Sequence, residues 1–556
     1  MRNIPRARGK RLIATAATGS LAVTGLALTL AHSADAAAAA GSTNRTSPDW
    51  ARLVDQVPTP VLHWTTCQQT DQCATAVLPL DYRNPHGATI QVALLRVKAK
   101  DPKHRLGTIF VNPGGPGDTA RDFAAEVPQA VPRAILDKFD IVGVDPRGTG
   151  GSTPIDCFAT ATERARTEAP LTGTPFPVTP GQQHAWVDAA KALGRACSTT
   201  ARSIASNMST TDDALDMDVL RRAVGDSKLT YVGESYGSYL GLIYANIFPD
   251  RIRAMALDSI VNAPALAGTT ATARVPAFDR MGAAAASDHA LRGLLVLCQQ
   301  AGSSRCSFAS PDTSARYDRL AAQLRAHPLR LAAPGIKTTT LGYADLVADT
   351  EHWMHDPSGY QGLFPELTDL VRLTAPGGAG TGRAAVVRDL ERLRSALAPP
   401  PAPGNQLEAF SGQACSDGAQ AANATSWPAA AATADRSASY FGSYYAWLSV
   451  QCARSTWTAS DRDAYRGPFD HHTAAPVLLI GNLWDPVDSY ANAAEMARLM
   501  PGSRLVRSDS WGHQALNTSA CVDSTTWNYL INPRTPAPKI TYCRGDVQPF
   551  ASATTP

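Results

Sequence analysis

The sequence lacks an excess of charge of either sign, and it contains no CxxC pair. Its 51 basic and 48 acidic residues leave a formal net charge of +3 over 556 residues, with the two signs interspersed. Nucleic acids and anionic membranes select for basic patches, so we expect neither as a partner. Because the usual cysteine spacing of a zinc site is missing, we expect no metal and no other cofactor.

The N-terminal segment has the features of a secretory signal peptide. An apolar stretch from Leu12 to about Leu30 precedes the small-x-small triplet Ala34-Asp35-Ala36. A membrane anchor is the alternative, but Thr, Ser and Gly interrupt the stretch, and a stable span needs ~20 strongly apolar residues. The basic residues that precede it are Arg2, Arg6, Arg8, Lys10 and Arg11. We predict that residues 1–36 are removed and that the mature protein is secreted and extracellular, without a membrane anchor.

All ten cysteines follow the predicted cleavage site, which suits an oxidising compartment. Their distribution favours local pairs, although sequence alone leaves the connectivity open and free buried thiols are an alternative. The favoured pairs are Cys67 with Cys73, Cys157 with Cys197, Cys298 with Cys306, Cys415 with Cys452, and Cys521 with Cys543.

The length of 556 residues could hold two or three domains. Residues 37–60 are expected to be a flexible N-terminus or a short propeptide, with structure beginning near Val61. From there, apolar strand-like runs alternate with amphipathic helical stretches, which is typical of a parallel sheet covered by helices. The clearest strands are predicted at 90–97, 107–111, 139–144, 229–232, 254–257 and 477–480, and a helix is predicted at 211–224.

Residues 265–470 differ in composition and in hydrophobic period from the segments on either side of them. They are rich in Ala and Arg, and their apolar residues recur mostly with a helical period. We interpret this region as a helical lid inserted between two parts of one core, residues 61–264 and 471–556. An independent domain is the alternative, but strand-like sequence with further candidate chemistry resumes after the region.

The strongest local signal is Gly233-Glu-Ser-Tyr-Gly237. An apolar strand precedes it and a helix is predicted after it, at 238–247. A serine in this setting sits on a tight strand-to-helix turn that presents its hydroxyl above the sheet. The sequence therefore predicts that Ser235 is a nucleophile and that the fold is an α/β-hydrolase fold with a mainly parallel sheet and a large helical lid.

A serine nucleophile needs a base, and hydrolases of this type order their triad as Ser, then Asp or Glu, then His. Asp485 and Asp488 follow the predicted strand at 477–480, and His513 follows a short predicted strand at 504–506. His513 would accept the proton of Ser235, and Asp485 would orient the imidazole. Asp488 is an alternative to Asp485, which is preferred because it comes first after the strand. An ordinary histidine would make activity fall as the pH drops through ~6–7.

The glycine-rich loop Asn112-Pro-Gly-Gly-Pro-Gly117 follows the predicted strand at 107–111. Glycines let a backbone N–H point at a reacting carbonyl, and the Tyr236 N–H would supply a second donor to the oxyanion. Other groups carry weaker signals. His352, His355 and Asp356 are grouped without a further ligand, and we interpret them as part of the lid surface.

With these residues assembled, the chain resembles the secreted tripeptidyl aminopeptidases of actinomycetes, which are relatives of the proline iminopeptidases. The likeness runs from about Trp64 to Cys543. Its landmarks are the glycine loop, Asp145-Pro-Arg-Gly-Thr-Gly-Gly-Ser152, Gly233-Glu-Ser-Tyr-Gly237, Ala414-Cys-Ser-Asp417, Asp485-Pro-Val and Gly512-His513.

The resemblance implies that Ser235, Asp485 and His513 form the triad, and that the Gly115 and Tyr236 amides form the oxyanion hole. It also implies release of short peptides, often tripeptides, from free N-termini. An acid would then hold the substrate ammonium, and Glu234, Asp417 and Glu351 are the candidates.

Two positions depart from the pattern of the family. Members commonly continue the glycine loop with Gly and Ser, whereas Asp118-Thr-Ala follows here, and Asp488-Ser489 replaces the family's Thr-Pro. Asp118 would either disfavour an oxyanion nearby or help to bind an ammonium. The alternatives to an exopeptidase are a secreted esterase or amidase, a proline iminopeptidase-like aminopeptidase, and an inactive hydrolase fold used for binding.

Overall fold

The computed structural model describes residues 44–68, 70–335, 337–378, 382–396, 404–534 and 538–551. These residues lie within one compact unit, and the predicted signal peptide lies outside them. No helix in these ranges is both long and apolar enough to span a membrane.

Apolar strand segments form one ten-stranded sheet, with strand order β1-β2-β3-β5-β4-β6-β7-β10-β11-β12. From β5 to β12 neighbouring strands run parallel, whereas β1, β2 and β3 add antiparallel pairs at one edge. A separate pair, β8 and β9, lies outside this sheet. The strands are β1 (Thr65–Gln68), β2 (Asp71–Pro79), β3 (Thr89–Val97), β4 (Gly107–Asn112), β5 (Phe139–Val144), β6 (Leu229–Glu234), β7 (Ile252–Asp258), β8 (Leu329–Leu331), β9 (Thr339–Leu341), β10 (Val477–Trp484), β11 (Arg504–Trp511) and β12 (Ile540–Cys543).

The central strands are buried on both faces, because side chains alternate between two apolar cores. On β4, Ile109 and Val111 enter one core and Phe110 enters the other. Parallel pairing fixes the register of β4 against β6, with Val111 opposite Val232. The predicted α/β-hydrolase fold with a mainly parallel sheet is thus confirmed.

Helices flank this sheet and fill the long connections. In the N-terminal half they are α1 (Pro48–Asp55), α2 (Ala120–Glu126), α3 (Arg133–Lys138), α4 (Ala161–Thr172), α5 (Pro180–Thr199), α6 (Arg202–Ala205), α7 (Thr210–Ala223) and α8 (Tyr236–Ile247). Between β7 and β10 they are α9 (Ala263–Ala267), α10 (Ala277–Met281), α11 (Ala283–Ala301), α12 (Thr313–Ala326), α13 (Tyr343–Trp353), α14 (Tyr360–Thr374), α15 (Arg383–Ala396), α16 (Gln406–Asp417), α17 (Trp427–Ala434) and α18 (Phe441–Ala446). The C-terminal part adds α19 (Tyr490–Leu499) and α20 (Ala520–Ile531).

The helical insertion expected at 265–470 is present as α9–α18 together with the small β8–β9 pair. We call the segment between β7 and β10, residues 259–476, the insertion. It contacts the core at several places described below. A second helical segment, formed by α4 and α5, precedes β6. The sequence did not predict this segment as a separate part of the fold.

All five predicted cysteine pairs form disulfides, with Cα–Cα distances between 4.4 and 5.7 Å. These distances are normal for the bond. The pairing prediction is confirmed, and no cysteine remains free.

We expected residues 37–60 to be flexible and structure to begin near Val61. This expectation is wrong for the second half of the segment, where structure begins before Val61. Pro48–Asp55 forms α1, and the Ser47 side chain accepts a hydrogen bond from the Trp50 N–H at its N-terminus. Leu53 and Val54 are buried in the larger core, so apolar burial holds this helix in place. Residues 37–43 lie outside the described residues.

Candidate active site

The three candidate catalytic side chains come from the same edge of the sheet. Ser235 follows β6, Asp485 follows β10, and His513 lies two residues beyond β11. These strands run parallel to one another through β7, so their carboxyl ends meet at one edge. Ligand sites of open α/β sheets lie at this edge.

The backbone of Ser235 is turned into an unfavourable conformation, with φ 54° and ψ −125°. Such a conformation in a residue other than glycine costs of order 1–3 kcal/mol and persists only where the surroundings impose it. The flanking glycines make the turn possible, because a Cβ on Gly233 would lie 2.3 Å from the Gly237 carbonyl oxygen. A Cβ on Gly237 would lie 2.5 Å from the Asn112 carbonyl oxygen. The sequence thus folds locally into the expected nucleophile elbow.

The histidine and the first aspartate are in direct contact. His513 Nδ1 lies 3.0 Å from Asp485 Oδ1 and 3.2 Å from Oδ2. The Ser259 hydroxyl donates to Oδ2 at 2.6 Å, and the N–H groups of Val487 and Asp488 donate to Oδ1 at 2.8 and 2.9 Å. Four donors therefore fix this carboxylate, and its second oxygen is held by a serine that the sequence did not indicate.

These contacts shift both pKa values. Burial opposes the charge of Asp485, but His513 and the other donors together lower the pKa of the carboxyl below its usual value. Burial also opposes the imidazolium of His513, but the Asp485 carboxylate, through its charge and its hydrogen bond, and the neighbouring acids Asp488 and Glu351 raise the pKa of the imidazole to about 9. The pair thus favours the ionised form of Asp485 and stabilises a protonated His513, which is what a base needs after it has taken a proton.

Asp488 differs from Asp485 in its surroundings. It is buried, its Oδ1 has no hydrogen-bond partner among the described residues, and it makes no hydrogen bond to His513 there. Burial raises the pKa of Asp488 to about 8. A carboxyl that holds its proton at neutral pH is a poor partner for an imidazolium, which supports Asp485 over Asp488.

Ser235 and His513 line the same cavity, which has a volume of about 480 Å³. We call it the nucleophile cavity. No hydrogen bond joins Ser235 Oγ to His513 among the described residues, and such bonds often tighten only when substrate binds. The cavity combines residues of the core and of the insertion, among them Gly115, Asp118, Ser235, Glu351, His355, Phe410, Tyr444, Tyr445, Leu448 and His513.

The two expected oxyanion donors lie near this serine. Gly115 lines the nucleophile cavity. Tyr236 is the first residue of α8, so its N–H has no carbonyl partner within the helix. Gly114 lies against the elbow, where an added Cβ would be 2.7 Å from Tyr236 N. The loop and the start of the helix are thus in contact, as a shared oxyanion site requires.

The structure does not bring Glu234 or Asp417 to the nucleophile cavity, and we correct their assignment as ammonium ligands. Glu234 ends β6, and its side chain lines a different, mainly apolar cavity with Val232, Leu516 and Trp527. Burial raises the pKa of Glu234 to about 8, which disfavours a carboxylate there. Ser235 lies on the turn beyond β6, whereas Glu234 is still in the strand, and these neighbours in sequence line different cavities.

Asp417 serves the packing of the insertion against the core. Its Oδ1 accepts the Thr210 N–H at 2.8 Å, and its Oδ2 accepts the Thr210 hydroxyl at 2.7 Å and the Tyr236 hydroxyl. It is only 2% exposed and does not line the nucleophile cavity, so its oxygens serve these protein contacts. Asp417 is thereby linked to the oxyanion residue Tyr236 through the tyrosine side chain.

Glu351 does line the nucleophile cavity, and it is surrounded by donors. His355 Nε2 lies 2.7 Å from Oε1, the Tyr445 hydroxyl donates to Oε1 at 2.8 Å, and the Tyr444 hydroxyl donates to Oε2 at 3.2 Å. Although burial opposes its charge, these groups lower the pKa of Glu351. An ionised carboxylate therefore faces the cavity that holds Ser235.

The interpretation of His352, His355 and Asp356 as lid surface is confirmed for His352 and Asp356, which are exposed, and is wrong for His355. Its ring lies 5.2 Å from that of His513, its carbonyl oxygen accepts the His513 N–H at 2.9 Å, and it lines the nucleophile cavity. Glu351 lies in the last turn of α13, and His355 follows two residues after that helix ends, so the four-residue spacing lets the two side chains meet. That spacing is the signal available in the sequence, but the contact of His355 with His513 joins segments more than 150 residues apart.

One group of buried carboxylates has the spacing of a metal site. Asp212, Asp461 and Asp463 offer oxygens that all lie within 4.8 Å of one another. Asp461 accepts the Ser209 N–H, and Asp463 pairs with Arg83. A backbone N–H and a guanidinium group thus already bind two of these carboxylates. The three aspartates do not line the nucleophile cavity.

A second cavity of about 380 Å³ adjoins the first, and we call it the side cavity. Gly115, Asp118, Phe410 and Leu448 line both. The remaining wall of the side cavity is mainly apolar and comes from α4, α5, α16 and the segment after α18. It includes Leu171, Trp186, Leu407 and Trp447.

Comparison with known proteins agrees with this architecture. The family described as alpha/beta hydrolase fold matches residues 107–299, and the one described as TAP-like protein matches residues 438–543. A tripeptidyl aminopeptidase from Streptomyces lividans is 27% identical over 481 residues, which cover 84% of this chain and 83% of the relative. The chain is thus similar to an α/β-hydrolase tripeptidyl aminopeptidase over most of its length.

Other relatives of this hydrolase carry different names. The serine protease Hip1 from Mycobacterium tuberculosis is 34% identical over 212 residues, which cover 36% of this chain and 40% of the relative. A carboxylesterase B from the same species is 29% identical over 499 residues, which cover 86% of this chain and 89% of the relative. The protein is a serine hydrolase, and the tripeptidyl aminopeptidase and Hip1 relatives support a serine peptidase.

Proposed function

We propose that the protein is a secreted serine exopeptidase that releases short peptides, three residues at a time, from the free N-termini of peptides. The observation that carries this proposal is the Glu351 carboxylate in the same cavity as Ser235. An enzyme that counts residues from an N-terminus must recognise the terminal ammonium, and an ionised acid inside the cavity is the group that can do so.

In this proposal Ser235, His513 and Asp485 perform acyl transfer. Ser235 Oγ attacks the substrate carbonyl as its proton passes to His513, and the Gly115 and Tyr236 N–H groups stabilise the oxyanion. The C–N bond then breaks, and the proton on His513 goes to the departing amine. Water attacks the acyl-enzyme ester, gives a proton to His513, and releases the tripeptide acid while the proton returns to Ser235.

The surroundings of Glu351 favour a fixed rather than a mobile anion. The hydroxyls of Tyr444 and Tyr445 and the ring of His355 hold both of its oxygens. The nucleophile cavity is also bounded by the insertion, which would stop a longer N-terminal extension from passing beyond Glu351. Five disulfides support the proposed export.

The dependence of turnover on a free N-terminal amine in the substrate tests the proposal against the esterase or amidase alternative. The similarity to a carboxylesterase B is the reason to test that alternative. We expect the kcat/KM of a free tripeptide anilide to exceed that of its N-acetylated form by at least about 100-fold, because a buried acid loses its ion pair. Glu351→Gln should reduce this ratio toward one, whereas Glu495→Gln, on the exposed face of α19, should preserve it. Equal turnover of both substrates by the wild-type enzyme would reject the exopeptidase.

A further inference from the structure

The side cavity adjoins the nucleophile cavity and shares four wall residues with it. Gly115 of the oxyanion loop and Asp118, which follows that loop, form one part of the shared wall, and Phe410 and Leu448 of the insertion form the other. Ser235, Glu351, His355 and His513 line only the nucleophile cavity. A residue whose carbonyl oxygen is held at the oxyanion loop would therefore lie beside the wall that the two cavities share.

The chemistry at Ser235 limits which part of a substrate can enter. During acyl transfer the leaving amine must lie beside His513, which gives it a proton. His513 does not line the side cavity, whereas Gly115 of the oxyanion loop does. It is consequently placed for the acyl half of the substrate, whose first side chain is attached one atom from the reacting carbonyl.

The walls of the side cavity select for an apolar group. Trp186 and Trp447 are buried, their rings are 5.9 Å apart in an edge-to-face arrangement, and Leu171 and Leu407 complete the lining. A volume of about 380 Å³ has room for an aromatic ring. Aromatic side chains bury roughly 150–250 Å² each, so they gain most from such a surface.

Asp118 adds a charge at the junction of the two cavities. An added Cβ on Gly115 would lie 3.1 Å from the Asp118 carboxyl carbon, so the carboxyl group lies against the oxyanion loop. Gln406 donates to Asp118 Oδ1 at 3.4 Å. An acidic side chain that passes this point would bring two carboxyl groups together in a partly enclosed space, which is unfavourable.

We infer that the side cavity is the subsite for the side chain of the residue whose carbonyl is attacked, that it prefers a large aromatic or aliphatic side chain, and that Asp118 at its mouth excludes acidic ones. This inference rests on the proposed function for the identity of the substrate as a peptide. It names the residue preference of that function, which neither the sequence nor the relatives supply.

Kinetics with a series of Ala-Ala-X anilides test the inference, with X as Ala, Phe, Gln or Glu. We expect the wild-type kcat/KM to be at least about tenfold higher for Phe than for Ala, because apolar pockets discriminate on this scale. Leu407→Trp fills the side cavity and should lower the Phe/Ala ratio at least about fivefold. Val296→Trp, at a position that is 49% exposed and in neither cavity, should keep the wild-type ratio.

Thr172→Trp, at the exposed end of α4, is a second variant that fills the side cavity. It replaces Leu407→Trp if the melting temperature shows that Leu407→Trp does not fold.

The charge of Asp118 is tested with the Gln and Glu substrates. The wild-type kcat/KM for Gln should exceed that for Glu by more than about tenfold, and Asp118→Asn should lower this ratio at least about fivefold. A Phe/Ala ratio near one in the wild type, or unchanged ratios in all folded filling variants, would overturn the subsite. A Gln/Glu ratio that Asp118→Asn leaves unchanged would overturn the role of Asp118.

The same series in N-acetylated form and as methyl esters separates this inference from the proposed function. If the enzyme cleaves acetylated anilides as well as free ones, the exopeptidase fails, but the Phe/Ala ratio still reports the subsite. If only esters are cleaved, the peptidase fails, and the ratio among the esters remains the test of the side cavity.

Discussion

His513 Nδ1 lies 3.0 Å from Asp485 Oδ1, and a hydroxyl and two backbone N–H groups hold the same carboxylate from other directions. This relationship separates Asp485 from Asp488, which is three residues away in the sequence. Only one of the two carboxyls is both ionised and in contact with the imidazole, and this difference gives the first prediction.

Asp485→Asn should reduce kcat by about 10³–10⁴-fold, because the amide cannot stabilise the imidazolium and can select the wrong tautomer. Asp488→Asn should reduce kcat less than about tenfold, since the Asp488 carboxyl, whose pKa is raised to about 8, is already mostly neutral at pH 7. Steady-state kinetics at pH 7 on both variants make the comparison. Similar losses in the two variants, or a larger loss in Asp488→Asn, would reverse the assignment.

Ser235→Ala should lower kcat by about 10⁴-fold or more while the melting temperature stays close to that of the wild type. The variant should also lose covalent labelling by a fluorophosphonate, which reacts with activated serines. Ser437→Ala removes an exposed hydroxyl from the insertion and serves as the matched control, with labelling and kcat unchanged. Labelling that persists in Ser235→Ala would identify a different nucleophile.

The low-pH limb of the pH–activity profile should lie at a higher pH than an unperturbed histidine would give. The base must be neutral, and neighbouring acids raise the pKa of His513 to about 9, so the active form accumulates as the pH rises through about 8 to 10. An ordinary histidine would instead place this limb near ~6–7. Fluorophosphonate labelling rates isolate this limb, because the reagent has no ammonium that titrates. A labelling rate that is already constant above pH 6.5 would contradict the raised pKa.

Asp417→Ala should destabilise the fold at the contact between α16 and the core. Three donors, two from Thr210 and one from Tyr236, would lose their acceptor in a buried place, at about 1–3 kcal/mol for each unsatisfied group. Calorimetry should show a lower melting temperature than for Asp389→Ala, whose side chain is 53% exposed. If both variants melt at the wild-type temperature, the Asp417 contacts contribute little.

The local parts of the site were predictable because their signals are local. The elbow needs glycines two residues on either side of Ser235, and parallel strands place the residues that follow them at one edge. Asp485 and His513 therefore followed from their strands. Each predicted strand is present, and the strand expected at 477–480 extends to Trp484, where Asn482 hydrogen-bonds the Gly512 carbonyl.

Contacts between distant segments were not predictable in this way. The sequence indicates Glu351 only as one of several acids, and no local pattern indicates that His355 and Ser259 contact the catalytic residues. The role of Asp145-Pro-Arg147 was equally hidden. Arg147 is fully buried, donates to Asp216, and also donates to carbonyls such as that of Pro79, so this landmark stabilises the fold. The composition of a sequence and the period of its hydrophobic residues do not indicate which distant loops contact one another in the fold.

Digestion of a defined peptide of about twelve residues, followed over time by mass spectrometry, tests the central proposal most directly. A free N-terminus should lead to products shortened by three, six and nine residues in that order, and N-terminal acetylation should stop the series at the intact peptide. Early cleavage at internal bonds, or the same fragments from the free and the acetylated peptide, would contradict the exopeptidase.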